Sequence, residues 1–407
     1  MTDRPSNGCP AAATAPGWRC RPASTRPRPA SLPVSYSCPP CLCPSFDPAQ
    51  YDAQLAEKVA RFKADFAPLG LPEPDVFSSP PLGYRLRAEF RLWHHGARLD
   101  YAMFDAEHPK QPILLDDFPP AAEPIARAMP RLREALDTNE ELKRRIFQVE
   151  FLATLSGELM VSLIYHRELG PQWEAAAREL AASLGAQIIG RSRGQKIVLT
   201  RDWLLEEFEV DGRRLRYQQI EGSFTQPNGE VNRKMLGWAR AQAAQAGGDL
   251  LELYCGNGNF TLALAPLFGR VLATELSKSS VRAALYNIEA NGADNITVVR
   301  MSSAELADAM AGGRTYRRMA GVDLAGYRFS TLFVDPPRSG LDPATVELAA
   351  GFERILYISC NPVTLRDNVR ALAATHRIAA AAVFDQFPYT HHLECGLLLT
   401  RRSGQPA

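Results

Sequence analysis

The chain has 407 residues, which is enough for two or three domains of ordinary size. Hydrophobic residues make up 46% and charged residues 22%, proportions typical of a soluble globular protein. The 46 Lys and Arg balance 45 Asp and Glu, which excludes a uniformly basic nucleic-acid-binding tail but is compatible with a local basic face. No run of 18 apolar residues is present and the N-terminus lacks a continuous apolar segment, so neither a membrane span nor a secretory signal is predicted.

The first 46 residues differ in composition from the rest of the chain. They hold five of the eight Cys, ten of the 31 Pro and five Arg, without apolar periodicity. Because such a segment cannot bury enough apolar surface to fold, we predict a disordered extension over residues 1–46, and a misassigned start codon would explain the same composition. Cys38, Cys41 and Cys43 lack a nearby His and a second regular pair, so no metal site is predicted. The three remaining cysteines fit a reducing compartment, and we expect a cytoplasmic protein.

Residues 47–221 form the next predicted domain. A helical stripe of apolar side chains covers residues 51–66, and strand candidates then follow one another closely. This pattern favours an α+β domain with antiparallel pairing, including a hairpin at Gly157-Glu158. The predicted strands cover residues 84–93, 98–104, 146–155, 158–166, 186–190, 196–200 and 214–220, with a helix over 172–184.

Two groups of basic residues stand out in this domain. Alternation along residues 84–93 places Leu86, Ala88, Phe90 and Leu92 on one face of a strand and the arginines on the other. The basic residues are Arg85, Arg87 and Arg91 in this strand, and Arg191, Arg193 and Lys196 further along. Alone they favour an ordinary solvated face, although clustered cations of this kind also bind phosphates.

In residues 222–407 the predicted strands alternate with predicted helices, unlike in the preceding domain. Near-continuous apolar runs are typical of strands buried on both faces, so we predict a doubly wound, Rossmann-like parallel sheet. The predicted strands cover 249–254, 270–275, 295–300, 330–335 and 354–359, and the predicted helices cover 277–291, 342–351 and 362–374. A last antiparallel pair, 381–387 and 393–400, is expected to close the edge of the sheet.

A glycine-rich turn follows the first of these strands, in the sequence YCGNGNF over 254–260. Glycines let the backbone approach a ligand closely, and Glu275 ends the second strand where nucleotide-binding α/β folds carry a ribose-binding acid. The turn indicates a site for a nucleotide or for S-adenosylmethionine. On this evidence a nicotinamide-dependent dehydrogenase and a methyltransferase are both open.

Two further strands end in residues suited to catalysis. Asp335 precedes two prolines and Arg338, and the prolines hold the carboxylate at the carboxyl end of its strand. Cys360 ends the next strand, where Asn361 suits a helix N-cap. The partial positive charge of that helix terminus favours a thiolate, so Cys360 is a candidate nucleophile.

Glu394 enters an otherwise apolar strand, which predicts either pairing or a functional role. The neighbouring His391 and His392 point to opposite faces of a strand and do not suit a metal site. A donor site, a thiol and an acid together fit methylation of uracil at C5: the thiolate adds at C6, C5 takes the methyl group, and a base removes the C5 proton.

The chain closely resembles the bacterial tRNA (uracil-5-)-methyltransferases, which make 5-methyluridine in the T-loop. The resemblance runs from about Asp47 to Arg401. It is carried by Gln226-Pro-Asn, LLELYCGNGNF (250–260), VLATE (271–275), LFVDPPRSGLD (332–342), ILYISCNP (355–362) and FDQFPYTHHLECG (384–396).

The resemblance implies S-adenosyl-L-methionine as methyl donor, tRNA as substrate and the T-loop of transfer-messenger RNA as a second substrate. It implies donor contacts by Gln226, Tyr254, Asn259, Glu275 and Asp335, a nucleophile at Cys360, proton removal by Glu394 and contact of Arg338 with the target base or its neighbours. Since the T-loop uridine must be flipped out, a separate domain that grips the arm is expected. Arg85, Arg87, Arg91, Arg191 and Arg193 are candidates for that contact.

Related enzymes that act on ribosomal RNA share the catalytic half and typically add a β-barrel and an iron–sulfur cluster held by four cysteines. Here no cysteine lies between residues 43 and 255, and the extension is too short for a barrel. This favours tRNA, with ribosomal RNA as the alternative substrate, and predicts neither an iron–sulfur cluster nor an obligate protein partner. A dehydrogenase would leave Cys360 and Glu394 without a role, and a non-catalytic RNA-binding protein would show no methyl transfer.

Overall fold

The computed structural model describes residues 20–22, 46–96, 98–104 and 108–402, so most of the predicted extension over 1–46 lies outside the described residues. The strands are β1 (Cys20–Pro22), β2 (Asp75–Phe77), β3 (Arg87–His95), β4 (Arg98–Phe104), β5 (Pro112–Leu115), β6 (Ile146–Ala153), β7 (Leu159–Tyr165), β8 (Gln187–Ser192), β9 (Gln195–Val198), β10 (Trp203–Val210), β11 (Arg213–Ile220), β12 (Asp249–Leu253), β13 (Val271–Thr274), β14 (Ile296–Val299), β15 (Phe329–Val334), β16 (Arg354–Ser359), β17 (His376–Phe384) and β18 (Glu394–Arg401). The α-helices are α1 (Tyr51–Phe66), α2 (Glu123–Thr138), α3 (Glu140–Lys143), α4 (Pro171–Leu184), α5 (Gly229–Ala243), α6 (Asn259–Leu264), α7 (Lys278–Ala290), α8 (Ser303–Met310), α9 (Pro343–Ala350) and α10 (Pro362–Leu372). Within those ranges, no helix is both long enough and apolar enough to cross a membrane.

The first eight-stranded sheet, here the N-terminal sheet, has the order β1-β5-β4-β3-β6-β7-β8-β9. Its neighbours pair antiparallel, as predicted, except that β7 and β8 are parallel and are joined through α4. The alternation along β3 is confirmed, because Leu86, Ala88, Phe90 and Leu92 are buried in one core. A helix that the sequence did not predict, α2, packs on the same core.

Contacts of two N-terminal elements cross the predicted division at residue 221. Tyr51 and Leu55 of α1 pack in the core of the N-terminal sheet, whereas Phe62 and Phe66 of the same helix pack in the core of the second large sheet. The hairpin β10–β11 packs through Tyr217 and its neighbours against α5 and β12. The two-domain division stays a prediction, and these contacts show that the two cores are physically joined.

The second eight-stranded sheet, here the C-terminal sheet, has the order β14-β13-β12-β15-β16-β18-β17-β2. Strands β12 to β16 are parallel and helices connect them, so the predicted doubly wound fold is confirmed. The antiparallel pairing of β17 with β18 is also confirmed. The prediction that this pair closes the edge is wrong, because β2 pairs parallel with β17 and is the last strand. A strand of three residues is too short to show a period in the sequence.

The carboxyl ends of the parallel strands meet at one side of the C-terminal sheet, here called the carboxyl edge. Strands β12, β13, β15 and β16 are followed there by Tyr254, Glu275, Asp335 and Cys360. Because β18 runs antiparallel to β16, its first residue, Glu394, starts at the same edge. The strand order reverses between β12 and β15, which is the place where open α/β sheets bind ligands.

Candidate active site

Cys360 and Glu394 are brought together by strand register. Ser359 of β16 pairs with Cys395 of β18, and continuing this antiparallel register by one residue places Cys360 opposite Glu394. Side chains of directly opposed residues start from Cβ atoms about 4.5–5.5 Å apart. Glu394 is 5% exposed and Cys360 is half-buried, so the thiol is the more accessible of the two groups to a ligand.

The thiol of Cys360 is not an ordinary surface thiol. Its pKa is raised to about 11, mainly by burial and in part by the nearby carboxyls of Glu394 and Asp335, while Arg338 opposes the rise. The predicted N-cap is confirmed, because the Asn361 side chain accepts a hydrogen bond from the Val363 backbone N–H at the start of α10. The helix terminus was expected to favour the thiolate, but burial and the two carboxyls outweigh it in the ligand-free protein.

Two acids at this edge have pKa values raised to near neutral pH, so both are partly protonated at pH 7. Burial raises the pKa of Glu394 to about 8, with Asp335 adding to the effect and Arg338 opposing it. Burial alone raises the pKa of Asp335 to about 7. Since Arg338 affects both Cys360 and Glu394, the four predicted residues form one electrostatic group. The Asn361 amide donates to the Arg338 backbone oxygen at 2.8 Å and so ties the two loops together.

The glycine-rich turn is held against the end of β13. Gly258 lies in the left-handed region at φ 85°, which favours glycine at this N-cap of α6. The Glu275 carboxylate accepts hydrogen bonds from the Gly256 N–H at 3.1 Å and from the Ser277 N–H at 2.6 Å. Glu275 is therefore fixed beside the turn and half-exposed, with lone pairs left to accept from a ligand.

The other predicted donor contacts are also ordered by their neighbours. The amides of Asn259 and Asn232 bond each other in both directions, at 2.8 and 3.1 Å. Tyr254 has a positive φ of 61° and its hydroxyl donates to the Ser303 hydroxyl at 2.7 Å, so its backbone and ring are the parts that face the edge. Gln226 uses its side-chain oxygen to accept from the Gln386 amide at 3.1 Å, which leaves its own amide N–H groups to donate.

Glu252 belongs to the same edge and was missed at the sequence level. It is 1% exposed in the middle of β12, and its Oε2 has no hydrogen-bond partner among the described residues. Burial raises its pKa to about 8, and Asp335 contributes to this rise. Glu394 was identified as a candidate because it is an acid within an otherwise apolar strand. Glu252 in the apolar run LLELY shows the same pattern and could have been identified in the same way.

Two of the five arginine candidates lie next to the segment that carries Gln226. Arg87 donates to the Ser223 backbone oxygen at 3.1 Å, and Arg85 forms an isolated bridge with Asn228. Phe224, in the same segment, is 74% exposed, the largest value among the exposed apolar side chains of the described part of the chain. This segment thus carries an exposed aromatic ring between Ser223, which contacts Arg87, and Gln226, which contacts Gln386.

The remaining arginine candidates lie farther along the N-terminal sheet. Arg191 forms a bidentate ion pair with the buried Glu221, which also binds Lys196. Arg193 is exposed at the turn between β8 and β9. Arg91 lies over the Phe147 ring, which itself stacks on His166 with 3.7 Å between ring centroids. We call these five arginines the basic face: Arg85, Arg87, Arg91, Arg191 and Arg193.

Comparisons with known proteins agree on one family. The family model described as tRNA (Uracil-5-)-methyltransferase matches residues 50–402. A protein of Azoarcus sp. strain BH72, named tRNA/tmRNA (uracil-C(5))-methyltransferase, is 73% identical over 358 residues, or 88% of this chain and 98% of that protein. A protein of the same name from Dechloromonas aromatica is 66% identical over 88% of this chain and 99% of its own length.

A solved structure is similar in fold. The tRNA (uracil-54, C5)-methyltransferase of Pyrococcus abyssi, in complex with S-adenosyl-L-homocysteine, superposes with a TM-score of 0.64 at 22% identity and covers 86% of this chain and 83% of its own. The match of the family model over most of the chain, together with these relatives, establishes that the chain belongs to the tRNA (uracil-5-)-methyltransferase family.

Proposed function

We propose that the protein transfers a methyl group from S-adenosyl-L-methionine to C5 of the T-loop uridine, position 54, of tRNA. The observation that carries this proposal is the opposition of Cys360 and Glu394 at the carboxyl edge, beside the glycine-rich turn. The names of the closely similar relatives support tRNA as substrate and the T-loop of transfer-messenger RNA as a second one. A tRNA substrate supports a cytoplasmic location for the enzyme.

The residues at the edge fit this methyl donor. The donor carries a sulfonium and an ammonium group, and the edge presents acids without a full set of cationic partners, among them Asp335 and Glu252. Glu275 would accept hydrogen bonds from the ribose hydroxyls, and Gln226, Tyr254 and Asn259 would line the rest of the site. When bound, the donor supplies the methyl group that C5 of the uracil accepts.

Cys360 acts as the nucleophile in this proposal. Its thiolate forms a bond with C6 of the uracil, and the electron pair of the C5–C6 double bond moves toward O4, which makes C5 nucleophilic. The thiol must first lose its proton, and its raised pKa makes that step unfavourable in the free protein. A cationic donor beside Cys360 and Asp335 would lower the pKa of the thiol, so that attack is favoured when both ligands are present.

Glu394 acts as the base. After methylation, C5 carries both the methyl group and a proton, and the Glu394 carboxylate removes that proton. The electron pair re-forms the C5–C6 double bond, the bond from C6 to sulfur breaks, and Cys360 leaves as thiolate. A carboxyl with a pKa of about 8 is well suited to this task, because its basicity is higher than that of an ordinary surface carboxylate.

The basic face and Phe224 would bind the T-arm. Arginines on a sheet contact phosphates by charge and geometry, and an exposed aromatic ring next to the edge suits stacking on an unpaired base. Arg338 is exposed, and its charge opposes the rise in the pKa of Cys360. We propose that it holds the target base or its neighbours.

The experiment that tests the function is incubation of the protein with unmodified tRNA and labelled donor, followed by nucleoside analysis. We expect labelled 5-methyluridine at position 54 and none with Cys360→Ala. Label in ribosomal RNA but not in tRNA would replace the proposed substrate with the alternative one. Absence of label from every RNA would overturn the proposed activity.

A further inference from the structure

The segment between β17 and β18, residues 385–393, is unusually long for a connection between adjacent antiparallel strands. Phe384, the last residue of β17, pairs with Glu394, the first residue of β18 and the proposed base. The nine-residue segment therefore leaves the sheet beside Glu394 and returns to it at Glu394. Adjacent antiparallel strands are commonly joined by two to five residues. A longer segment needs contacts with the rest of the protein if Glu394, which follows it, is to be held in one position.

The anchors of this segment come from the N-terminal part of the chain. The Lys58 ammonium of α1 donates to Asp385 Oδ1 at 2.7 Å and to the Phe387 backbone oxygen at 2.9 Å. The Asp385 N–H donates to the Phe77 backbone oxygen at 3.0 Å. Further along, the Tyr389 hydroxyl donates to the Pro81 backbone oxygen at 2.9 Å.

The centre of the segment is conformationally constrained. Tyr389 is not a glycine, yet its φ is 62°, in the left-handed region. Its ring is buried against Tyr51 of α1 and against Phe46, with centroids 5.8 and 4.7 Å apart. Packing against α1 therefore maintains a backbone conformation that the segment would not adopt by itself.

The ion pair at the start of the segment is buried. Lys58 is 5% exposed and Asp385 is 1% exposed. Burying two charges costs desolvation energy that their attraction often fails to recover, so a buried pair is weak evidence for stability. A pair in this position has a clearer role in geometry, because its directional hydrogen bonds fix one backbone arrangement next to the site.

We propose that Lys58 and Asp385 are positioning residues, which hold residues 385–393 so that Glu394 meets the C5 proton of the methylated base. This inference rests on the proposed function and deepens it. Helix α1 contributes to both large cores, so the same contact would couple the arrangement of the N-terminal sheet to the release step. Neither residue is expected to touch the RNA base itself.

The test compares two double variants. Lys58→Met with Asp385→Asn removes both charges of the buried pair without leaving one charge alone. The matched control is Lys63→Met with Glu73→Gln, which removes an ion pair between the same helix and residue 73, with side chains 40% and 78% exposed. With labelled donor and tRNA in a single turnover, methyl transfer is read as label in RNA, and release is read as loss of the retarded protein–RNA band on a denaturing gel.

We expect Lys58→Met with Asp385→Asn to slow release by about tenfold or more, because small displacements of a catalytic group have effects of this size. At saturating donor, methyl transfer should change by about threefold or less, since Cys360 is held by β16 and α10 rather than by this segment. Loss of the hydrogen bond from Gln386 to Gln226 would instead raise the donor concentration that is needed, and this is measured separately. The control should match the parent in both steps.

A folded Lys58→Met, Asp385→Asn protein that releases RNA as fast as the control overturns the positioning role. If that variant does not fold, Asp385→Glu replaces it: this variant keeps both charges and displaces the segment by one methylene, and release at the parent rate would again overturn the role. A parent enzyme that forms no Cys360-dependent band would instead contradict the proposed mechanism. The two failures are therefore distinguishable.

Discussion

The carboxyl edge of the C-terminal sheet and the basic face of the N-terminal sheet hold their charged groups in different ways. At the edge, burial raises the pKa values of Glu394 and Glu252 to about 8, so these acids lack full compensation inside the protein. On the basic face, Arg191 is paired with Glu221 and Arg87 donates to the Ser223 backbone oxygen. The edge therefore depends on its ligands for electrostatic balance, whereas part of the basic face, Arg191 and Arg87, is already paired with carboxylates of the protein.

This difference predicts unequal sensitivity to mutation. A residue at the edge whose chemical role no neighbouring residue can take over should be essential for one step of the reaction. A single arginine on the basic face should contribute one of several similar contacts, so that its loss is graded. The following experiments on catalysis and binding are ordered from the largest expected effect to the smallest, and one experiment on stability comes after them.

The largest effect should come from the opposed pair Cys360 and Glu394. Cys360→Ala should reduce turnover by more than about 10³-fold and abolish the covalent protein–RNA band, because no other residue is proposed to attack C6. Glu394→Gln should give a persistent band, since addition and methylation can proceed while the C5 proton stays in place. Denaturing gels with tRNA and donor distinguish the two.

The double variant Cys360→Ala, Glu394→Gln is the control, and it should give no band. A band that survives in the double variant would exclude Cys360 as the nucleophile. Turnover of Glu394→Gln near the parent rate would show that another group removes the proton.

The next effect should separate the donor from the RNA. Glu275→Ala should weaken donor binding by about 1.5–3 kcal/mol, the usual loss for a hydrogen bond to a charged acceptor. Binding of tRNA should change little, because Glu275 lies beside the glycine-rich turn and not on the basic face. Calorimetric titration of each ligand measures the two losses independently, and equal losses would indicate that Glu275 has a structural role only.

A graded effect is expected on the basic face. Arg193→Ala should weaken tRNA binding and lower the slope of log affinity against log salt concentration by about one, as for a single phosphate contact. Arg127→Ala is the matched control, because Arg127 is 72% exposed on α2, which packs on the opposite, apolar side of the sheet. An unchanged salt slope for Arg193→Ala would remove this residue from the RNA contact.

The last experiment concerns stability at the edge rather than catalysis or binding. The pKa of Glu252 in the folded protein is about 8, above its ordinary value of 4.5, so its contribution to stability is complete below pH 4.5 and is lost as the pH rises through 8. Glu252→Gln does not titrate and should gain on the order of 4 kcal/mol relative to the parent between pH 5 and pH 9. Urea unfolding at both pH values measures this gain, and a constant difference would contradict the raised pKa.

The parallel strands and three of the helices that follow them, α7, α9 and α10, could be predicted to within a few residues because their signals are local, whereas the short helices α6 and α8 were not given ranges. Each strand from β12 to β16 is a short apolar run, and helices such as α10 begin at an N-cap that the sequence displays. The position of Asp335 and Cys360 at one edge then follows from parallel topology alone. The assignment of their roles came from the resemblance to a family, not from the topology.

Features that depend on tertiary packing were not predictable. The helix α2 contains Pro130, which weakens its helical signal, although its apolar stripe is fully buried. Whether the pKa of Cys360 is raised or lowered depends on how deeply the thiol is buried and on Glu394, which is 34 residues away in sequence. The contact between Lys58 and Asp385 joins positions 327 residues apart, and no local pattern in the sequence reports it.

The short strand β2 has a consequence for how the protein is made. Val76 of β2 pairs with Val383 of β17, so the outermost strand of the C-terminal sheet leaves the ribosome about 300 residues before its partner. Contacts of such high sequence separation fold slowly, and until they form β17 exposes an unpaired edge that can pair with other chains. Nascent chains that stop before residue 376 lack this partner for β2 altogether. The last tenth of translation should therefore be the period in which this enzyme depends most on chaperones.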